Sequence, residues 1–359
     1  MAPCPAPVMR RPYDETEVVR VLWAEGRASM KYEKVIVSRF GGPEVLQVVE
    51  EELRKPSPGE VLVRVSAAGV ARADCSRRSS DWSGQVPPFP LGYDFAGRVD
   101  SIGAGVTSFK AGQMVAGINE NLNSYAEYVY VSPEWMVPIP GHVDPAQAAC
   151  LGLNYLVAAQ CLHRLANVRV GGRILILGAS GGVGTALIEL ARLAGLEVHG
   201  TAAPGKIDRI RDLDAVPIDY QGEDLRQRIE DVEFDAVFDT VFDRYFDLAY
   251  PRLRADGKYV VIGFAAPPQE HDRLLRMIQA WHAPGDRSEL LHYRSLLEPY
   301  VEELSPLADL LARGKIAPLI HERVPLREAA RAHQLLESGV VTGKVVLTCE
   351  DRRANARRT

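Results

Sequence analysis

One stretch limits what this chain can fold into more than any other. Residues Gly172-Arg173-Ile174-Leu175-Ile176-Leu177 form a short apolar run, and Gly178-Ala179-Ser180-Gly181-Gly182-Val183-Gly184 a glycine-rich turn directly behind it. Apolar residues at Leu187, Leu190 and Ala191 then recur at helical spacing. That is strand, phosphate loop and helix, as at the first turn of a dinucleotide-binding fold. In such a turn Gly181 lets the backbone approach a pyrophosphate and Gly184 lets the helix pack close on its strand. The free N–H groups at the helix start face the anion. The first glycine of the G-x-G-x-x-G pattern is replaced by Ala179. Further strands are expected at Glu197 to Ala202, Ala236 to Phe238 and Lys258 to Ile262. Strand and helix alternate, so right-handed crossovers place helices on both faces of a doubly wound parallel sheet.

The rest of the chain must hold at least one more unit, because 359 residues suit about two domains. Apolar and charged fractions of 47% and 25% are those of a globular protein. A net charge of -5 argues against a chain built mainly to bind nucleic acid. No apolar run is long enough to cross a bilayer. Charges interrupt Met1 to Met30, which does not read as a secretory signal. Cys4, Cys75, Cys150, Cys161 and Cys349 are scattered and never paired as C-x-x-C. They fit a reducing, cytoplasmic setting, without a disulfide framework or a zinc site built on cysteine pairs.

Residues 1–29 read as an extension, with Pro3, Pro5, Pro7 and Pro12 holding its first part extended. From Lys31 to about Val137 the signals are β-rich segments separated by repeated glycine turns. Examples are Val35 to Val37, Val45 to Val49, Val61 to Ala67, Phe95 to Val99 and Ala126 to Val131. This is a small, mainly antiparallel β domain. Pro145 to Leu165 reads as helical with a break near Gly152. Beyond Pro299, helices are expected at Ser305 to Arg313 and Leu326 to Ser338, and strands at Ile320 to Val324 and Lys344 to Thr348. The expected division is therefore a β domain over 30–155, a nucleotide domain inserted at 156–298, a return to the β domain at 299–349, and a charged tail at 350–359. A ligand would sit in the cleft between the two domains.

Five motifs in this order resemble the medium-chain dehydrogenase/reductase superfamily, in its zinc-free quinone oxidoreductase branch, over about Met30 to Thr348. They are Phe40-Gly41-Gly42-Pro43-Glu44-Val45-Leu46, Pro58-Gly59-Glu60-Val61-Leu62-Val63, Leu91-Gly92-Tyr93-Asp94-Phe95-Ala96-Gly97-Arg98-Val99, the glycine loop, and Arg331-Ala332-His333-Gln334-Leu335-Leu336. The resemblance implies a Rossmann sheet inserted into a GroES-like β domain, a nicotinamide cofactor and a homodimer joined near Leu290 to Arg294. Zinc-dependent relatives carry a cysteine where this chain has Ala71 and His-Glu where it has Tyr93-Asp94. Tyrosine does not replace a neutral imidazole on zinc, so no metal is expected.

An NAD-selective site needs an acid about twenty residues past the loop, on the ribose 2′-hydroxyl. Here His199-Gly200-Thr201-Ala202-Ala203-Pro204-Gly205-Lys206 contains none, which favours NADPH, with Lys206 as the cation for its 2′-phosphate. The cofactor residues so implied are Ala179, Ser180, Gly181, Gly182, Val183, Gly184, Thr201, Lys206, Tyr220, Val241, Gly263, Phe264 and Lys344. Candidate contacts in the substrate cleft are Asp74, Tyr93, Asn154 and Tyr155. Trp82 stands where related alkenal reductases place a proton-donating tyrosine. Val157 replaces a usual threonine near the nicotinamide, and Phe242 a usual glycine on the cofactor track. The resulting expectation is a zinc-independent, NADPH-dependent reductase of a quinone or an α,β-unsaturated carbonyl compound. The alternatives are an enoyl reductase of natural-product assembly and an NADPH-binding relative without redox chemistry.

Overall fold

The computed structural model describes residues 30–81, 84–119, 121–221, 224–241, 245–262, 289–292 and 301–349. Trp82, Phe242, Gly263, Phe264, Tyr293 and Arg294, and the segments 1–29 and 350–359, lie outside the described residues.

The predicted parallel unit is a six-stranded sheet in the order β11 (Val216–Asp219), β10 (Glu197–Ala202), β9 (Arg173–Leu177), β12 (Phe234–Asp239), β13 (Leu253–Val261) and β14 (Glu289–His292). Every neighbouring pair is parallel. The chain order reverses between β9 and β12, and the glycine turn leaves the end of β9 at this switch point, where open α/β sheets bind ligands. β9 is wholly apolar after Arg173 and buried on both faces, as a central parallel strand must be. β11 was not among the predicted strands. It is short and carries Pro217, which an edge strand tolerates because one side of its ladder is unpaired.

The β-rich lobe holds two sheets. One has the order β2 (Leu46–Glu52), β1 (Lys31–Val37), β4 (Phe89–Pro90). The other runs β15 (Ile320–Pro325), β16 (Lys344–Thr348), β3 (Val61–Val70), β5 (Asp94–Ile102), β6 (Met114–Ile118), β8 (Met136–Pro138), with β7 (Tyr128–Val131) also paired to β3. The last strand of the chain therefore lies antiparallel to β3, which returns the C-terminal segment to the first lobe.

Helices are numbered α1 (Arg72–Ser79), α2 (Pro145–Ala148), α3 (Leu156–Ala159), α4 (Gly182–Leu193), α5 (Ile207–Asp212), α6 (Asp224–Glu230), α7 (Phe246–Ala249), α8 (Val301–Ala312) and α9 (Ala329–Glu337). The break expected near Gly152 falls just before it: α2 ends at Ala148 and residues 149–150 form a turn. The chain there widens into a π-helical turn, Leu151–Tyr155, and a second one follows at Gln160–Ala166. Gly152 serves close packing, since a Cβ on it would lie 2.8 Å from Ile118 and 3.0 Å from Asp94 Oδ1 and the Gly117 carbonyl. This helical run lies between the sheets. Leu151, Leu156 and Leu162 share one buried apolar cluster with Ala96 and Met114 of the β lobe and Ile174 and Ile176 of the parallel sheet. Each fully buried leucine contributes about 1.5–3 kcal/mol, so the two lobes hold one another through a common core.

Candidate functional site

The glycine turn is built from beneath. Gly178, not the residue at the first motif position, takes the left-handed conformation at φ +80°. A Cβ there would strike Thr240 Oγ1 at 2.4 Å and Val241 Cγ1 at 2.7 Å. Ala179 is fully buried, and its methyl fills the space left by Gly200, where an added Cβ would come within 2.7 Å of it. Thr201 is also fully buried. Its hydroxyl accepts the Gly178 N–H at 3.0 Å and its carbonyl accepts the Ala179 N–H at 2.9 Å. Ala179 and Thr201 thus support the turn from below. Gly184 packs as predicted, since a Cβ on it would sit 2.5 Å from the Gly178 carbonyl oxygen.

Gly181 is different. Its φ of -76° suits any residue, and an added Cβ would meet nothing closer than the Gly178 oxygen at 3.4 Å. Neither conformation nor protein packing demands a glycine, so the space beside it remains for a ligand. Helix α4 begins at the next residue with no side-chain cap. Its first N–H groups and the positive end of its dipole are the donors an anion needs. Val241 lies beside the turn, 39% exposed, and offers an apolar wall. Tyr220 follows β11, its N–H donating to the Ala202 carbonyl at 3.3 Å and its ring 6.0 Å from that of Tyr245. These residues fit a dinucleotide, which when bound supplies a hydride.

The return segment closes the turn from the other lobe. The Gly343 N–H donates to the Ser180 carbonyl at 2.9 Å. Next to it, the buried Lys344 ammonium donates to Asp94 Oδ2 at 3.2 Å and to Asn154 Oδ1 at 3.1 Å. Asn154 projects from the first π turn against α4, where a Cβ on Gly182 would lie 2.3 Å from its Nδ2. Asp94 is fully buried. Desolvation raises its pKa and the Lys344 charge pulls it back, which leaves it at about 6. Lys206 makes a second link across the lobes. Its ammonium donates to the carbonyls of Gly339 at 2.6 Å and Val341 at 2.7 Å. Burial, and then the guanidinium of Arg72, lower its pKa.

The predicted substrate-side residues divide. Asp74 is fully buried and accepts from the Ala71 N–H at 2.9 Å, the Gly92 N–H at 3.2 Å and the Tyr125 hydroxyl at 2.9 Å. Its oxygens hold the start of α1 and the turn before β5. Tyr125 spends its proton on Asp74, so its 3.3 Å contact with His333 requires Nε2–H on the imidazole. Burial, and then Arg78, push His333 down to about 3, so the ring is neutral. Tyr155 turns away from the cleft and donates to Glu189 of α4. Val157 is buried on α3. Tyr93 is half-buried, and its hydroxyl accepts from Arg77 Nε at 2.8 Å. Ala71, at the first zinc-ligand position, is a buried methyl. Sequence reasoning missed Gly178, Arg77 and Arg72. A glycine directly after the apolar run Ile174 to Leu177 was the available signal for the first; the two arginines gave none.

A concavity of about 500 Å³ lies at the outer edge of the parallel sheet, bounded by Ile207, Arg211, Val216 and Arg228. None of its lining residues belongs to the glycine turn or to the Asp94 cluster. Among the described residues no group of three or more His, Cys, Asp or Glu could hold a metal ion, and no helix is long and apolar enough to cross a membrane.

A switch-point glycine turn, an uncapped helix and a second lobe that closes over both define a two-lobed nicotinamide-dependent oxidoreductase. Family models agree: the alcohol dehydrogenase GroES-like domain matches residues 57–141 and the zinc-binding dehydrogenase domain residues 213–347. The chain is similar to a quinone oxidoreductase of Pseudomonas aeruginosa, 31% identical over 324 residues, which cover 88% of this chain and 98% of that protein. It is 27% identical to a 2-haloacrylate reductase of a Burkholderia species, over 87% of this chain and 97% of that protein. The solved quinone oxidoreductase of Coxiella burnetii superposes with a TM-score of 0.80 at 29% identity, covering 89% of this chain and 100% of that one. The chain belongs to the medium-chain dehydrogenase/reductase superfamily, in its quinone oxidoreductase-like branch. Members of that superfamily bind a nicotinamide dinucleotide.

Proposed function

We propose that this chain is an NADPH-dependent, zinc-independent reductase of quinones or of alkenes conjugated to a carbonyl group. The observation that carries the reading is the acid-free, cationic flank of the glycine turn. Lys206 uses two of its three N–H donors on the Gly339 and Val341 carbonyls, which leaves the third for an anion. Arg72, exposed at the start of α1, acts on Lys206 as a second positive charge. A 2′-phosphate would relieve the repulsion between the two. A ribose 2′-hydroxyl finds no carboxylate on this segment, where NAD-selective sites carry one. Zinc independence is supported by Ala71, which has no ligand atom, and by Tyr93, whose oxygen is bonded to Arg77. The acceptor class is supported by the two kinds of relative, one named for quinones and one for a haloacrylate. Free cysteines at Cys75, Cys150, Cys161 and Cys349 suit a reducing, cytoplasmic setting. Loss of NADPH absorbance against quinones, enals, acrylates and enoyl thioesters tests the proposal. No turnover with any of them, or equal use of NADH, overturns it.

A further inference from the structure

The β lobe places a phenol and a guanidinium together, next in sequence to the Asp94 cluster that joins the two lobes. Tyr93 sits between two anchored residues. Before it, Gly92 adopts φ +102° and gives its N–H to Asp74. After it, Asp94 is tied through Lys344 to Asn154, which packs on the first residue of α4. The Tyr93 carbonyl accepts from the Asn119 N–H at 2.7 Å and from Ser124 Oγ at 3.2 Å. Its backbone is thus fixed from both sides, one residue along from the cluster that joins the β lobe to the nucleotide turn.

The side chain is oriented as well. Arg77, one turn beyond Asp74 on α1, donates from Nε to the Tyr93 oxygen at 2.8 Å and from Nη1 to Gln85 Oε1 at 2.9 Å. Its guanidinium carbon is 5.6 Å from the Tyr93 ring centroid. A phenol that accepts a hydrogen bond still has its own proton to donate. Donation to Tyr93 from a cation polarises that O–H, because successive hydrogen bonds strengthen one another where water is scarce. Burial, opposed by the Arg77 charge, leaves the Tyr93 pKa above that of an ordinary phenol, so the proton is present at neutral pH.

Resting on the reductase reading above, we propose that the Tyr93 hydroxyl is the electrophilic group for the acceptor oxygen and that Arg77 is its positioning residue. A hydride delivered to a quinone or to the β-carbon of a conjugated carbonyl leaves the electron pair on the carbonyl oxygen. Tyr93 donates its hydrogen bond to that developing oxyanion, and solvent then protonates the enolate or hydroquinone anion. The acceptor is reduced by two electrons and the nicotinamide is oxidised by two. A donor aimed at an oxygen that gains charge accelerates such a step by about 100-fold.

Steady-state kinetics of Tyr93→Phe, Arg77→Met, Arg77→Lys and the Tyr93→Phe/Arg77→Met double variant test this, alongside cofactor titration by fluorescence and melting curves. We expect kcat to fall by about 100-fold in Tyr93→Phe, with KM for the acceptor changed little and the cofactor Kd and Tm unchanged. Arg77→Met should fall by a similar factor and Arg77→Lys should recover part of it. The double variant should be no slower than Tyr93→Phe alone, because Arg77 acts through the phenol. Wild-type protein inactive on every acceptor would refute the reductase reading itself. An active wild type with kcat unchanged in Tyr93→Phe would refute only the role of Tyr93. Additive losses in the double variant would refute the coupling to Arg77.

Discussion

Replacing Lys344 by methionine separates the charge of the interlobe cluster from its packing, since the two stems are of similar length. The Lys344 ammonium is the cation that faces Asp94, at 3.2 Å, and both groups are almost wholly buried, at 4% and 0% exposure. With Lys344 in place, burial still holds the Asp94 carboxyl at about 6, against about 3.9 in an unfolded chain. A folded pKa above the unfolded one means that the folded state keeps a proton the unfolded state has released. Stability from this group is therefore full below about pH 4 and falls by about 1.4 kcal/mol per pH unit until about pH 6, a loss near 3 kcal/mol. Above that pH the contribution is level. In Lys344→Met the opposing charge is gone, so the Asp94 pKa rises further and the decline continues. Above about pH 6 the variant should go on losing about 1.4 kcal/mol per pH unit until it reaches its own, higher Asp94 pKa, a decline that the wild type does not show. Adding Asp94→Asn removes the titrating group and should flatten the curve again. Urea denaturation across this pH range measures the slopes directly. Parallel pH profiles for wild type and Lys344→Met would show that Lys344 does not set the ionisation of Asp94, and the account of the cluster would fail.

Three further outcomes are expected. Lys206→Ala should weaken NADPH binding by about tenfold or more while leaving NADH nearly unchanged, because only the former loses a charge-assisted contact; equal losses in a fluorescence titration would remove Lys206 from the 2′-phosphate. Chelator-treated protein should keep its activity and Tm, and stoichiometric zinc lost together with activity would contradict the metal-free reading. β14, at the edge of the parallel sheet, should pair with its copy across a two-fold axis, so light scattering at micromolar concentration should give a dimer, and a monomer would refute it.

What could be read from the sequence was local. β10 and β16 have the bounds expected of them: β16 is a compact apolar run behind Gly343, and β10 is set off by Gly195 before it and Pro204-Gly205 after it. The close packing of Gly184 was also legible, since a phosphate loop imposes it wherever it occurs. What escaped had non-local causes. Gly152 looked like a helix breaker because glycine disfavours a helix; its reason is the approach of Ile118 and Asp94. Tyr155 looked available because it neighbours Asn154, yet the π turn sends Asn154 towards Lys344 and Tyr155 towards Glu189. Thr201 lies in the segment that reads cofactor preference, but alternation along β10 buries its hydroxyl beneath the turn.

The least legible feature carries the most consequence. The parallel sheet supplies an anion site by itself, and the first β segment supplies Asp74, Tyr93 and Asp94 by itself. Neither contains the residues that join them. Those come from Gly339 to Lys344, at the far end of the chain. Gly343 binds the Ser180 carbonyl, Lys344 binds Asp94 and Asn154, and the Gly339 and Val341 carbonyls hold Lys206. Four of these six residues touch the glycine turn, Lys206, or the Asp94 and Asn154 side chains. Their position is dictated by β16, which must lie beside β3 to complete the β lobe and so delivers the preceding turn to the mouth of the parallel sheet. The glycine turn is therefore contacted by both lobes at once. The turn before β16 must be in place before Lys344 and Gly343 can tie the two halves to each other.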